Sequence, residues 1–227
     1  MRWHYHRIWI LAVLALSGIA LAWLISTTPL PPAVVTPEPV ATTTPDLSGR
    51  AIYASGEHGF SISYPETALL EETFSPTYHL ASSWRANAFA GAQGTPIVAI
   101  IAYSTESDSS YPRYYNAQVR IGKSADAKEV ANCLKPTTEQ GEVALEDATI
   151  GGVVWKAFSF QNAGMQQYAR GVSYRTLHEG SCFALEKIAA GSNYRDDPDS
   201  PEDIADEALE ARYKGLDSIV ETFSFAR

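Results

Sequence analysis

Between Val143 and Ala190 apolar and polar residues alternate in runs of strand length, and small turn-forming clusters separate the runs. This pattern predicts four consecutive strands joined as an antiparallel meander. The first reaches Ile150 after Glu142, and Gly151-Gly152 follows as a two-residue turn that tolerates positive φ at both positions. The second runs from Val153 to Gln161, Asn162-Ala163-Gly164 turns the chain, and the third runs from Met165 to Leu177. His178-Glu179-Gly180-Ser181 then leads into the fourth, from Cys182 to Ala190. A meander of this kind needs a cover on its apolar face.

Upstream, the alternation predicts short strands at Ile52 to Ser55 and Gly59 to Pro65, where Phe60, Ile62 and Tyr64 alternate with Ser61 and Ser63. Pro65 ends the second, and Glu66 to Glu72 reads as a short helix or turn. Tyr78 to Arg85 is a further predicted strand. Pro96 to Tyr103 is continuously apolar and predicts a central strand covered on both faces. After a strand at Gln118 to Ile121, Ser124 is the expected N-cap of a helix through Cys133, with Ala127, Val130, Ala131 and Leu134 along its apolar side.

The carboxy-terminal pattern is helical. Ser200-Pro201-Glu202-Asp203 supplies an N-cap serine, a first-turn proline and acidic residues, so a helix is expected to start there. Ile204, Ala208 and Leu209 carry its apolar side to Tyr213, Gly215 interrupts it, and Leu216, Ile219, Val220 and Phe223 resume it at i, i+3, i+4, i+7 spacing. These helices are the expected cover of the meander.

The amino-terminal segment is of another kind. Ile8 to Ile25 contains 18 residues without a charge, a run that as a helix would span roughly 27 Å, close to the hydrocarbon thickness of a bilayer. Arg2 and Arg7 precede it, which places the amino terminus in the cytoplasm and the remainder outside. A signal peptide cut after Ala22 is the competing reading, but the apolar run continues through Trp23, Leu24 and Ile25. Six of the 13 prolines fall between Ser26 and Asp46 among Thr, Ala and Val, a composition for an extended stalk. The expected organisation is an anchor or signal over residues 1–26, a Pro/Thr-rich linker over 27–47 and one globular domain over 48–227.

Charge narrows the partners. The formal net charge is -9, and from Leu47 onward 15 Lys and Arg face 24 Asp and Glu. Nucleic acid is therefore excluded as a partner, because neutralising phosphates needs a concentrated basic face. In the loop from Ser104 to Asn116, Tyr111, Tyr114 and Tyr115 surround Arg113. Tyrosines offer contact area at low entropic cost, so these four residues are the candidate binding site. The competing reading has the rings lidding the core.

Cys133 and Cys182 both lie in the exported part, where thiols oxidise, and a disulfide between them is expected. Two free buried thiols, or a nucleophile with His178 as its base, are the alternatives. Five carboxylates between Asp196 and Asp203 are oxygen ligands of the type calcium takes, but the run lacks the glycine and ligand spacing of an EF-hand, and a solvated helix cap is the plainer reading. His58, His79 and His178 are scattered with no zinc-site spacing, and neither a Gly-x-Ser-x-Gly motif nor a phosphate loop occurs. No catalytic residue, metal or cofactor is assigned.

Tyr53 with Gly59-Phe60-Ser61-Ile62-Ser63-Tyr64-Pro65 near the start of the domain, and Leu216-Asp217-Ser218-Ile219-Val220-Glu221-Thr222-Phe223-Ser224-Phe225 at its close, resemble the PsbP/Mog1-like superfamily. The resemblance runs from about Tyr53 to Phe225 by order of elements. It implies an α+β fold in which an antiparallel β-sheet is flanked by helices, an α/β/α sandwich, and a non-catalytic accessory or binding role. It carries no binding residue over to a position here. The expected function is a membrane-tethered extracytoplasmic domain that binds an envelope protein or polymer without catalysis. A cell-envelope hydrolase whose carboxylates meet only in three dimensions, or a structural spacer, are the competing readings.

Overall fold

In the computed structural model, residues 49–76, 79–89, 91–105, 113–192 and 204–226 are described, and all fall in one compact unit. Their strands form two antiparallel sheets. The larger contains β3 (Leu69–Glu71), β4 (Thr95–Ser104), β5 (Tyr115–Ser124), β10 (Ser181–Ser192), β9 (Gln167–His178), β8 (Val153–Gly164) and β6 (Val143–Ala144), in that spatial order, with β7 (Ala148–Ile150) also on β8. The smaller has β1 (Arg50–Ser55), β2 (Phe60–Pro65) and β11 (Ser224–Phe225), in the order β1-β2-β11. Three α-helices and one 3-10 turn, Thr138–Gln140, complete the described elements; the α-helices are α1 (Ala127–Asn132), α2 (Asp206–Gly215) and α3 (Asp217–Val220).

The meander is present in the order expected, with two changes. Its first strand is broken into β6 and β7, each short and each paired to β8. The turn between β8 and β9 falls at Met165-Gln166 rather than at Asn162-Ala163-Gly164, and both residues have positive φ. The Asn-Ala-Gly cue is overridden because those residues have strand-end partners: Asn162 Nδ2 donates to Asn87 Oδ1 at 2.9 Å, and Gly164 O accepts from His79 Nε2 at 3.0 Å. Gly151-Gly152 and Glu179-Gly180 close the flanking hairpins, again at positive φ.

β10 is the centre of the large sheet, with ten residues paired to β5 and twelve to β9. Alternation along β10 therefore separates two cores. Phe183, Leu185 and Ala189 face one side, where they join Tyr115, Ala117, Val119 and Ile121 of β5, Trp155 of β8, and Leu209, Tyr213, Leu216, Ile219, Val220 and Phe223 from the chain's end. The small sheet contributes Phe60 and Ile62 to the same core. All four carboxy-terminal apolar positions are buried as their spacing predicts, and burial contributes roughly 1.5 to 3 kcal/mol for each such side chain.

On the other side Cys182, Ala184, Ile188 and Ala190 meet an irregular strap over residues 79–89. The expected strand from Tyr78 to Arg85 is this strap; its described part holds one isolated bridge at Leu80. The strap does not pair as a strand because buried side chains take its backbone groups: Glu186 accepts the Ala86 N–H, and Arg120 donates to Ala81 O at 3.0 Å. It lies so close to the sheet that a Cβ at Gly122 would stand 1.8 Å from Trp84 O.

Four further expectations are corrected. Glu66 and Thr67 make the turn that is one of the two expectations there, and residues 69–71 then form edge strand β3 rather than a helix. β4 is covered on both faces as expected, with Ile97 to Ile100 all buried, but it is not central: only the three residues of β3 lie beyond it, and its register shifts at Pro96, which has no N–H to donate. Asp126 caps α1, its Oδ1 accepting from Lys128 N and Glu129 N, while Ser124 Oγ accepts from Asp126 N. The helix turns Glu129 inward and leaves Ala127, Ala131 and Leu134 exposed, because Arg85 lies beneath it. α2 begins at Asp206 after an extended Ala205, and the expected start at Ser200-Pro201 lies outside the described residues. Among the described residues no helix is long and apolar enough to cross a membrane, and the expected anchor over Ile8 to Ile25 and the linker lie outside them.

Candidate binding site

Arg113 enters β5 through a knot of backbone hydrogen bonds made by Thr105. The Thr105 hydroxyl donates to Arg113 O at 2.9 Å and accepts from Tyr115 N at 2.8 Å. This fixes the Arg113 side chain against the start of α2, where Nη1 meets Asp206 Oδ1 at 3.1 Å and Nη2 donates to Ile204 O at 2.5 Å. Strands β9 and β10 extend the pattern toward α2 and α3. Tyr168 and Arg170 lie two residues apart on one side of β9, and Arg170 Nη2 meets Glu210 Oε2 at 2.6 Å. Lys187 of β10 reaches Asp217 of α3 at 2.5 Å. The Tyr213 ring receives both cations, Arg170 at 4.6 Å and Lys187 at 4.5 Å from its centroid.

α2 is thus fastened to the sheet largely by charge: Leu209 and Tyr213 are its only buried residues. Between α2 and the sheet side opens a cavity of about 640 Å³, lined by Arg113, Tyr168, Arg170, Asp206, Glu207, Glu210 and Lys214 among others. That volume is in the range of small-ligand sites. Burial pushes the Tyr168 hydroxyl up, against the opposing effect of Arg170 and Arg113, so it stays a donor at neutral pH. The Arg170 hydrogen bond holds the Glu210 carboxyl below its ordinary value. Burial also pushes the Tyr213 hydroxyl up to about 12.

Of the expected site residues, Arg113 lines this cavity. Tyr115 does not: its ring is in the core, 5.9 Å from that of Tyr103, and its hydroxyl donates to Leu209 O at 2.9 Å. For this ring the reading as a core lid holds. Tyr114 is half-buried, and Tyr111 and the acidic run 196–203 lie outside the described residues. Tyr168, Arg170 and Lys214 were not legible as site residues, since strand and helix alternation mark them only as polar positions.

Cys133 and Cys182 form a disulfide, with Sγ atoms 2.05 Å and Cα atoms 5.6 Å apart. That removes both the free thiols and the nucleophile with His178 as base; His178 instead stacks on Phe225 with ring centroids 3.7 Å apart. Among the described residues no His, Cys, Asp and Glu cluster is placed to hold a metal ion.

A second constellation lies under the strap and was not anticipated. Arg85, Arg120, Arg175, Glu129, Glu142 and Glu186 are all buried there. Glu142 joins two of the arginines, at 3.4 Å to Arg85 and 2.5 Å to Arg175, and accepts from Thr137 N at 2.6 Å. Arg120 donates to Gln118, Ala81 O and Ser75 O. Burial pushes the Glu186 carboxyl up, despite the Ala86 N–H hydrogen bond and the nearby Arg85 and Arg120 charges. The available signal was Arg120 and Glu186 inside strands rich in apolar and small residues, which sequence spacing cannot pair.

No family model and no curated protein matches the chain. Among solved structures it is similar to cyanobacterial PsbP (CyanoP) from Synechocystis sp. PCC 6803, with a TM-score of 0.40 and 11% identity over 79% of this chain and 94% of that one. It is also similar to LpqN, involved in cell envelope biogenesis of Mycobacterium tuberculosis, with a TM-score of 0.39 and 14% identity over 78% of this chain and 91% of that one. One of the two is a PsbP protein, the group named by the sequence resemblance. Nothing about the activity of this chain follows from likenesses of that size.

Proposed function

We propose that this chain is a membrane-tethered accessory domain displayed outside the cytoplasm, which binds an envelope protein or polymer without transforming it. The observation that carries the binding role is the cavity beside Arg113, whose two arginines are already neutralised by carboxylates of α2. Such a lining recognises by exchange of ion pairs. The disulfide supports an oxidising compartment, and the uncharged run from Ile8 to Ile25 supports the tether.

The hydrolase reading has one favourable observation, since Asp206, Glu207 and Glu210 line the same cavity. A general acid needs a raised carboxyl, and Glu210 is lowered. Asp206 is paired with Arg113. Both favour recognition over proton transfer.

The test is site-specific photo-crosslinking of the full chain in its own membranes, with the photoreactive group at Ala211 in the cavity wall and a control at Val154, which is exposed elsewhere. A discrete adduct from Ala211, absent from Val154 and lost in Arg170→Ala, is expected. The same adduct from both positions, or one that survives Arg170→Ala, overturns the binding role. Protease added outside intact cells should remove the domain while the membrane retains the anchor.

A further inference from the structure

On the strap side of the sheet, away from α2, a second cavity of about 730 Å³ opens between α1, the strap and the turn at Thr138–Gln140. It shares no lining residue with the first. Its charge balance is unusual for this chain: Arg85, Lys128 and Lys135 face Glu129 and Glu139, a net positive lining on a protein of net charge -9. Among the described residues neither lysine has an ion-pair partner, although Lys128 Nζ lies 5.8 Å from the Phe89 ring centroid.

The floor is rigid. Arg85 is buried and donates to Asn87 O at 2.7 Å and Thr137 Oγ1 at 3.3 Å, with Glu142 at 3.4 Å and Glu129 at 3.8 Å. Asn87 Nδ2 in turn donates to Gln140 O at 3.0 Å. The wall is equally fixed, because the disulfide follows α1 and ties Cys133 to β10. Asn132, Thr137 and Thr138 add neutral hydrogen-bonding groups to the lining.

From these observations we infer that the cavity between α1 and the strap binds a phosphoryl group, with Lys128 and Lys135 as its charged contacts and Arg85 as the fixed positive floor. Two ammonium groups, a buried guanidinium and short hydroxyl and amide donors are the chemistry that phosphate oxygens take. The phosphoryl group could belong to a soluble ester or to a lipid headgroup.

The experiment uses the full chain in dodecyl maltoside micelles, titrated with glycerol 3-phosphate and, separately, with glycerol. Saturable binding of the phosphate ester alone is expected, weakened about tenfold or more in Lys128→Gln/Lys135→Gln and weakened by added salt. Arg170→Ala, in the other cavity, should leave it unchanged, so this site and the one beside Arg113 succeed or fail separately. Phosphatidylglycerol added to the micelles distinguishes the sources: competition with glycerol 3-phosphate assigns the headgroup, and its absence a soluble ester. Equal affinity for glycerol, equal affinity in the double variant, or no saturation below about 10 mM overturns the inference. The two lysines stand apart from the buried ion pairs, so their substitution reads binding without unfolding the layer beneath.

Discussion

Glu186 Oε2 accepts the backbone N–H of Ala86 at 2.8 Å, tying the centre of the large sheet to the strap across 100 residues of sequence. Burial raises this carboxyl above its ordinary 4.5, so the folded state favours its protonated form. A raised acid costs nothing below its unfolded value, and its destabilisation accumulates as pH rises from there through its folded value. Stability from this group is therefore greatest in acid and falls as pH rises from about 4.5 through the folded pKa. Glu186→Gln should remove that slope and raise the urea midpoint at neutral pH relative to wild type. Urea titrations of both proteins between pH 4 and 8 check it; parallel profiles would contradict the assignment. Arg85, Arg120, Arg175, Glu129 and Glu142 lie in the same buried layer.

Removing one member of a buried ion pair leaves the other uncompensated. Glu142→Ala should cost about 3 to 5 kcal/mol, since it deprives Arg85 and Arg175 together. Glu210→Ala, whose ion pair with Arg170 is largely solvated, should cost about 1 kcal/mol or less. Chemical denaturation of the two variants side by side measures the contrast.

Reduction of the Cys133–Cys182 bond, or its replacement by serines, should destabilise the domain by about 4 kcal/mol, because the bridge closes a 49-residue separation. The check is the shift in denaturation midpoint with and without reductant. A shift near zero would mean that α1 and β10 hold together without the bond.

The β8–β9 turn places Met165 and Gln166 at positive φ, and Met165 is almost fully exposed. Met165→Asn with Gln166→Gly suits that backbone and should stabilise by roughly 0.5 to 1 kcal/mol. Gly122→Ala should do the reverse, costing about 1 to 3 kcal/mol or more, because its Cβ would collide with Trp84 O. Thermal melts of the two variants should move in opposite directions.

Elements whose period is set by one face were legible in the sequence. The three long meander strands β8, β9 and β10 and the burial of Leu216, Ile219, Val220 and Phe223 follow from alternation and from i, i+3, i+4 spacing alone. The charged interior was not, because Arg85, Arg175 and Glu142 meet across separations of 57 and 33 residues, and an arginine in a strand looks the same whether it faces water or a carboxylate. The same limit explains α1, whose alanines suggested an apolar face although Arg85 draws Glu129 inward. For Tyr115 the ring's destination depended on α2, more than ninety residues later, offering Leu209 O to its hydroxyl.

β2, near the beginning of the domain, is completed only by β11, where Ser224 and Phe225 pair with Ser61 and Phe60. A polypeptide emerging or translocating from its amino terminus must hold that first hairpin with one side open until nearly every later residue has followed. Synthesis and folding are therefore out of step: the earliest strands wait longest, and a prematurely terminated product would present a bare backbone edge to whatever lies nearby.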